Sequence, residues 1–185
     1  MTGHTDPMHR STEVLEAMLD DLLAAPKDAG PIEMIVRRPG ENQREIIESG
    51  ELTVEQGLVG DNWMKRLDEN GEPNRSAQLT LMNSRVTDAV AKTRERWPLA
   101  GDQIYVDLDI SVDNLPPGTR LEVGGAVVEI SDKPHTGCAK FAGRFGKEAL
   151  RFANVGPGRD NRFRGVYAFV IESGALRVGD KITKL

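Results

Sequence analysis

The hydrophobic residues of this chain fall mainly in short runs that are separated by Gly, Pro, Asn and Asp. Eight such runs, rich in Val, Ile, Leu and Tyr, follow one another at residues 32–39, 43–49, 77–83, 103–111, 119–124, 126–132, 165–173 and 181–185. Short β-prone runs at close spacing predict a β-barrel or a strongly bent sheet. A doubly wound α/β fold would need a helix between most strands, so the pattern favours a mainly β fold with some α.

The first 30 residues predict a helical extension outside the barrel. Residues 11–25 carry apolar side chains at helical spacing, Ser11 can cap this helix, and Pro26 stops it. The polar, glycine-containing segment that follows is typical of a linker. We therefore divide the chain into a helical extension at 1–30 and a β-barrel domain at 31–185.

Two further segments predict helices at the periphery of the barrel. Residues 83–97 have a helical period, with Asn83 or Ser84 as the cap. The other helix begins near Cys138 and continues through residues 140–153, with phenylalanines on one side.

The end of the chain predicts a β-hairpin that closes the barrel. Turn residues occur at Ser173-Gly174 and at Gly179-Asp180, between short hydrophobic runs.

Composition narrows the possible functions. A formal net charge of −5 over 185 residues argues against a broad nucleic-acid surface, which needs a basic footprint. No apolar run approaches the length of a membrane span, and the N-terminus lacks the apolar core of a signal peptide. A single cysteine excludes an intramolecular disulfide. We expect a cytoplasmic protein with no nucleic-acid partner, no membrane anchor and only a local site for an anion.

The only cysteine, Cys138, follows a segment with strong turn chemistry. Pro134 ends the preceding strand, Gly137 permits a sharp turn, and Thr136 could cap the following helix. The sulfur would then lie in the first turn of a helix, where free N–H groups stabilise a thiolate. The residues alone leave open whether Cys138 is a reactive thiolate or a small apolar side chain in the core. His135 is either a base or hydrogen-bond donor beside it, or a turn residue that faces solvent.

The charge of this acidic chain reverses after Cys138. Arginines in a glycine-containing loop suit phosphate or carboxylate recognition, because the guanidinium fork binds two oxygens at once. The alternative is a solvated helix face followed by an exposed loop. The basic residues of this stretch are Lys140, Arg144, Lys147, Arg151, Arg159, Arg162 and Arg164, against Glu148 and Asp160.

The segment "GLVGDNW", residues 57–63, predicts a tight turn near the mouth of the barrel. Asp61 and Asn62 are candidates for contacts with a ligand there, and Trp63 could line a pocket. An ordinary loop anchored by Trp63 is the alternative, and the residues by themselves favour it.

The order of three motifs resembles the MOSC domain family, the module named for the C-terminal part of molybdenum cofactor sulfurases. The motifs are "GLVGDNW", "VDNLPPGTRLEVGGAVVEISDKPHTGCAKF" and "RGVYAFVIESGALRVGDKI". The resemblance covers roughly residues 31–185. Its most specific parts are residues 127–138, which end at the cysteine, and the G-x-L-x-V-G-D pattern at 174–180.

This resemblance implies a MOSC-type β-barrel and a role with molybdenum cofactor or with sulfur delivered to it. Cys138 would be the metal ligand or the sulfur acceptor, and with His135 it forms the candidate catalytic pair. Two mechanisms follow: a molybdenum-cofactor-dependent reductase of N-hydroxylated compounds, and a sulfur transferase that carries a persulfide on Cys138. Neutralisation of the pterin phosphate would fall to Lys140, Arg144, Arg159, Arg162 and Arg164.

The alternative from another class is a non-catalytic module that binds an anionic small molecule through the arginine-rich loop. Cys138 would then be a structural residue.

The sequence departs from the family pattern in two segments. The Gly-Glu-Asn-Leu segment corresponds to Asp113, Asn114 and Leu115, which makes Asn114 a further candidate for cofactor binding. The His-Gly-Gly segment with its following Lys corresponds to residues 70–83, where Arg75 is the only nearby cation. No part of the sequence resembles the aminotransferase-like sulfurase domain, so we expect no pyridoxal phosphate on this chain. A separate cysteine desulfurase or a redox partner would complete the system.

Overall fold

The computed structural model describes residues 8–185 of the chain, so the first part of the predicted extension lies outside the described residues. The α-helices are α1 Thr12–Ala17, α2 Leu19–Leu23, α3 Ser84–Ala91, α4 Ala139–Phe145, α5 Lys147–Asn154 and α6 Pro157–Asp160. The strands are β1 Ala29–Arg37, β2 Glu45–Ile47, β3 Ser49–Thr53, β4 Gly57–Leu58, β5 Leu79–Asn83, β6 Ile104–Val106, β7 Arg120–Val123, β8 Ala126–Ile130, β9 Val166–Glu172, β10 Gly174–Arg177 and β11 Lys181–Lys184.

Seven strands close into a mixed β-barrel in the order β11-β7-β8-β9-β5-β6-β1, and β1 pairs again with β11. The pairing of β5 with β6 is parallel, and the other pairs are antiparallel. β1 is long enough to pair with β11, β6 and β2 along its length. The predicted β-barrel with peripheral helices is confirmed.

Two hydrophobic clusters stabilise the molecule. One fills the barrel interior, where alternate residues of β8 and β9 are buried. The other lies between the outside of the barrel and the helices, and it includes Phe141 and Phe145 of α4. Every residue of β5 is buried, because α3 covers the face that points away from the interior. Asn83 caps α3 as predicted, since its side chain accepts a hydrogen bond from the N–H of Val86.

The helices are shorter than predicted. The segment after Cys138 forms two helices rather than one, because Gly146 at φ +94° ends α4 and precedes α5. The N-terminal segment divides at Met18 into α1 and α2, and α1 packs against α5. The predicted linker is also wrong in part, because β1 already begins at Ala29. Within residues 8–185, no helix combines the length and apolarity needed to cross a membrane.

The predicted C-terminal hairpin is wrong. β9 pairs with β8 and β5, β11 pairs with β7 and β1, and β10 leaves the barrel to pair with β3 in a separate sheet of order β10-β3-β4. Gly174 permits this departure, since a Cβ at that position would lie 2.1 Å from the carbonyl oxygen of Gly125. Turn residues therefore mark where the chain changes sheets.

Candidate functional site

A cavity of about 380 Å³ lies at the end of the barrel where β1 and β8 finish and β6 and β9 begin. Its wall includes the segment after β1, the loop around residues 62–66, the start of α4, and the side chains of Thr80 and Tyr167. Cys138 belongs to this wall, so we name this cavity the Cys138 cavity. Its volume lies in the range of small-molecule sites, about 300–1,000 Å³.

The turn before Cys138 is held by Gly137 and Asn154. The N–H of Gly137 donates to Oδ1 of Asn154 at 2.9 Å, and Nδ2 of Asn154 donates to the carbonyl of Gly137 at 3.3 Å. A Cβ at position 137 would lie 2.4 Å from Cδ1 of Leu150, so a glycine lets α5 pack closely. Cys138 is exposed and is itself the N-cap residue of α4. The prediction of Thr136 as the cap is therefore wrong, and the thiol does not fill a gap in the core.

The surroundings of Cys138 favour its thiolate. Partial burial of the sulfur acts to raise its pKa. The backbone N–H groups of Phe141 and Lys140 and the charges of Arg164 and Arg144 act in the opposite direction and outweigh burial, although the thiol closes no capping hydrogen bond. The pKa of Cys138 consequently lies below its ordinary value, which increases the fraction of nucleophilic, metal-binding thiolate at neutral pH.

Basic side chains dominate the wall of the Cys138 cavity. Their charges repel one another, and this repulsion adds to the effect of burial. Burial, followed by the charges of Arg144 and Arg38, lowers the pKa of Arg44. Burial, followed by the charge of Arg38, lowers the pKa of Arg66. A cavity of this kind attracts anions. Its seven cationic residues, against the single acid Glu41, are Arg38, Arg44, Lys65, Arg66, Lys140, Arg144 and Arg164.

Two of these arginines are held by buried carboxylates. The side chain of Asp61 is 0% exposed, and it accepts hydrogen bonds from Nε and Nη2 of Arg38, both at 2.8 Å. Asp102 is also buried, and its Oδ2 accepts from Nη1 of Arg164 at 2.8 Å. These pairs orient the two guanidinium groups and cancel much of their charge.

The other cations of the cavity are not neutralised by a buried carboxylate. Nζ of Lys140 lies 3.6 Å from Oε1 of Glu41 in an exposed pair, which contributes little energy. Four cations of the cavity wall form no ion pair with any carboxylate of residues 8–185: Arg44, Lys65, Arg66 and Arg144. The unneutralised positive charge is the feature that an anionic ligand would match.

His135 lies beside the Asp102–Arg164 pair, deep in the cavity. Its Nδ1 is 3.8 Å from Oδ1 of Asp102, too far for a hydrogen bond, and its ring stacks on Tyr167 with centroids 4.3 Å apart. Burial, then the charge of Arg164, place the pKa of His135 well below its ordinary value. Burial raises the pKa of Asp102 against the opposing effect of Arg164. His135 is therefore a neutral imidazole, and it does not face solvent.

Because His135 stays neutral in the folded protein, stability should fall on acidification. An unfolded histidine binds a proton below about pH 6.5, whereas folded His135 does not, so lower pH favours the unfolded state. Between about pH 7 and pH 5.5, we expect the free energy of unfolding of the wild type to drop about 1 kcal/mol more than that of His135→Asn. Urea unfolding at both pH values measures this, with His9→Asn as the control. Equal drops in wild type and His135→Asn would contradict the burial of His135.

The structure brings most of the predicted site residues into one cavity. Its wall contains Cys138, His135 and Asn62, together with the cations Lys140, Arg144 and Arg164. Asp61 lies behind the wall, where it holds Arg38 instead of facing the cavity.

Arg159 and Arg162 do not line the Cys138 cavity. Arg159 is on α6 with its side chain 75% exposed. Arg162 has φ +50° and donates from Nη1 to the carbonyl of Leu115 at 2.6 Å, so its guanidinium holds a loop. Arg75 lies outside the cavity as well, where it stacks on Phe169.

Asn114 also lies outside the Cys138 cavity, because its side chain is fully engaged elsewhere. Nδ2 donates to the carbonyls of Lys27 and Asp109 at 2.8 and 2.7 Å, and Oδ1 accepts from Lys184 at 3.2 Å. The glycine, acid, amide and aliphatic order expected around Asn114 occurs instead at residues 101–104, Gly-Asp-Gln-Ile. That segment borders the cavity and supplies Asp102 to Arg164.

Sequence reasoning missed several residues of the cavity, above all Arg38, Arg44, Arg66, Asp102 and Tyr167. Two signals were available. Arg44 follows "RRPGENQ", where a predicted strand ends in two arginines and a proline, and Asp102 stands between a glycine and the start of another predicted strand. Both are positions where a loop leaves or enters the end of a barrel.

The described residues contain no group of three or more His, Cys, Asp or Glu side chains that could hold a metal ion. Cys138 is therefore the one soft ligand that this cavity offers among residues 8–185, and a metal bound here would need its other ligands from a cofactor.

Comparison with known proteins gives a family and a fold. The family model described as MOSC domain matches residues 68–183. The crystal structure of YuaD from Bacillus subtilis is similar with a TM-score of 0.58 and 16% sequence identity, covering 83% of this chain and 94% of YuaD. No curated protein matches the sequence significantly.

Two structures of YiiM are also similar. YiiM from Escherichia coli has a TM-score of 0.54 at 19% identity, covering 85% of this chain and 69% of YiiM. YiiM from Geobacillus stearothermophilus has a TM-score of 0.53 at 14% identity, covering 87% of this chain and 74% of YiiM. Identities this low establish a shared fold and nothing finer.

Proposed function

The chain belongs to the MOSC domain family, and from this premise we propose that it binds molybdenum cofactor in the Cys138 cavity, with the Cys138 thiolate as a ligand of the metal. The single observation that carries the proposal is the combination, in one cavity, of a thiolate-favouring cysteine and seven cations against one acid. A cofactor with a phosphate and a soft metal matches both properties.

The residues of the cavity fit this cofactor. Arg44, Lys65, Arg66 and Arg144 would neutralise its phosphate, since they have no carboxylate of their own within residues 8–185. When bound, the cofactor would supply two-electron redox chemistry, which this chain alone does not provide.

The protein's own part is to bind the cofactor and to orient the groups that contact it. The Gly137–Asn154 hydrogen bonds fix the backbone next to Cys138, and the Asp61 and Asp102 carboxylates fix the guanidinium groups of Arg38 and Arg164. Neutral His135 can donate or accept a hydrogen bond without adding to the positive charge. Reduction of N-hydroxylated compounds is the reaction we predict for the loaded protein.

A second candidate function is sulfur carriage. Its specific support is the exposure of Cys138, which leaves the thiolate accessible to a donor protein such as a cysteine desulfurase. A persulfide on Cys138 would need no metal. A sulfur carrier needs an accessible thiol but not the cavity behind it, so we rank this function second.

Loading of the purified protein tests these functions. Wild type and Cys138→Ser are expressed in a host that makes molybdenum cofactor, and molybdenum, pterin fluorescence and intact mass are measured. We expect near-stoichiometric molybdenum in the wild type and at least about a tenfold loss in Cys138→Ser, as for removal of a metal ligand.

Charge reversal at Arg144 separates phosphate binding from metal binding. Arg144→Glu should lower the pterin content, whereas Glu41→Gln at the rim should not. A reducible mass increase of one sulfur atom on Cys138, without molybdenum, would favour the carrier function. Absence of molybdenum, pterin and added sulfur would contradict both functions.

A further inference from the structure

A second cavity, of about 250 Å³, borders His135 and Arg164, as the Cys138 cavity does. Both side chains belong to the walls of the two cavities, so they form the partition between them. Pro134 and Thr136, in the segment that leads to Cys138, also belong to this second wall.

The partition carries polar atoms that need a partner. The side chains of His135 and Arg164 are only 7% and 9% exposed. Nδ1 of His135 and Nε of Arg164 have no hydrogen-bond partner among the described residues, and neither does Oδ1 of Asp102 beside them. A buried polar atom without a partner costs about 1–3 kcal/mol, so such atoms usually mark the place of a ligand or an ordered water.

The rest of the second cavity combines positive charge with apolar surface. Lys133, Arg159, Arg162 and Arg164 line it, against one acid, Asp132. The apolar part of the wall consists of Val112, Pro134, Ala153 and Val166. A small organic anion with a hydrophobic body matches both kinds of surface, whereas an inorganic anion would leave the apolar part unused.

An occupant of the second cavity would also contact the support of Cys138. Asn154 lines this cavity, and its side chain makes both hydrogen bonds that hold Gly137. The cavity is thus adjacent to the reactive turn without containing Cys138 itself.

We propose that the second cavity binds a small carboxylate with an apolar body, with the carboxylate against Arg164 and His135. The inference goes beyond the proposed function and does not depend on it, because neither Cys138 nor the four unpaired cations of its cavity belong to this wall. The partition of His135 and Arg164 would then separate the carboxylate from a ligand bound to Cys138.

Benzoate binding tests the proposal, with benzamide as the neutral control. Isothermal titration calorimetry on the wild type should show saturable binding of benzoate and at least about tenfold weaker binding of benzamide, the difference expected for loss of one charge-assisted hydrogen bond. Val112→Trp fills the mouth of the cavity at a residue that is 45% exposed, so it should fold normally and weaken benzoate at least about tenfold. Arg159→Glu, at an exposed side chain, should weaken it as well.

Lys140→Glu is the matched control in the Cys138 cavity and should leave benzoate binding unchanged. Loss of binding in Lys140→Glu with retention in Val112→Trp and Arg159→Glu would place benzoate in the Cys138 cavity and overturn the proposal. Equal affinity for benzamide, or no saturable binding in the wild type, would also overturn it. Cys138→Ser should bind benzoate as the wild type does, so failure of this inference and failure of molybdenum loading are separate results.

Discussion

Replacing Asp61 by alanine is expected to lower the free energy of unfolding by about 3–5 kcal/mol, the usual cost of leaving one member of a buried ion pair alone. Asp61 and Arg38 have side chains 0% and 3% exposed, and two hydrogen bonds of 2.8 Å join them. Asp61 also accepts from the backbone N–H groups of Arg38 and Trp63 at 2.9 and 3.0 Å. Asp61→Ala removes all four hydrogen bonds at once, and urea unfolding measures the loss.

An exposed pair in the same region provides the control. Nη2 of Arg37 lies 2.7 Å from Oε2 of Glu45, and the two side chains are 37% and 46% exposed. Glu45→Ala should therefore lower the free energy of unfolding by less than about 1 kcal/mol. Asp61→Asn, which keeps the shape of the side chain and loses its charge, should lower the free energy of unfolding by an amount between those of Asp61→Ala and Glu45→Ala. If Asp61→Ala were as stable as the wild type but failed to load cofactor, Asp61 would be a ligand contact rather than the support of Arg38.

The barrel was predictable because its strands have local signatures. All eight hydrophobic runs contain an observed strand, and β8 and β9 show the alternation of buried and partly exposed residues expected for a barrel wall. The three-stranded sheet was not predictable in this way. β3 is polar and β4 has only two residues, so their pairing depends on β10, which arrives from about 120 residues further along the chain.

The cysteine turn was predictable for a similar reason. Proline, glycine and cysteine follow one another in a strand-to-helix connection, and their backbone requirements can be derived from the sequence. The exposure of Cys138 could not be predicted, because exposure depends on which distant segments of the chain pack against the start of α4.

The rest of the cavity depends on contacts between distant segments. Arg38, Asp102 and Arg164 come from the ends of β1, β6 and β9, and only the closure of the barrel brings them together. Positive charge near Cys138 in sequence was a partial guide: Lys140, Arg144 and Arg164 reach the cavity, while Arg159 and Arg162 face the other side of the partition.

Four arginines of the cavity fall into two groups with different roles. Arg38 and Arg164 are bonded to buried carboxylates and to the carbonyls of Gly101 and Ala100, so they belong to the rigid wall. Among residues 8–185, the side chains of Arg44 and Arg144 donate hydrogen bonds only to backbone carbonyls, so their charge is left for a ligand. Substitutions in the first group should therefore act mainly on stability, and substitutions in the second mainly on binding.

Gly165→Ala should be the other strongly destabilising change, because it affects the partition itself. Gly165 has φ +101°, a conformation that costs a non-glycine residue about 1–3 kcal/mol. A Cβ there would lie 2.6 Å from the carbonyl oxygen of Leu81, 3.2 Å from Nδ1 of His135 and 3.4 Å from Oδ1 of Asp102. Overpacking of this kind adds about 1–3 kcal/mol, so the free energy of unfolding should fall by about 2–6 kcal/mol.

Gly118→Ala isolates the backbone part of this cost. Gly118 has φ +87°, and no atom lies within 4 Å of its added Cβ, so this variant should lose only the strain of the left-handed conformation, about 1–3 kcal/mol. Chemical unfolding of the two variants side by side measures the difference, which is the contribution of the crowded partition. Equal losses would mean that Leu81, His135 and Asp102 move aside freely. A larger loss in Gly165→Ala, accompanied by weaker benzoate binding, would show that His135 and Arg164 must stay in place for the second cavity to keep its shape.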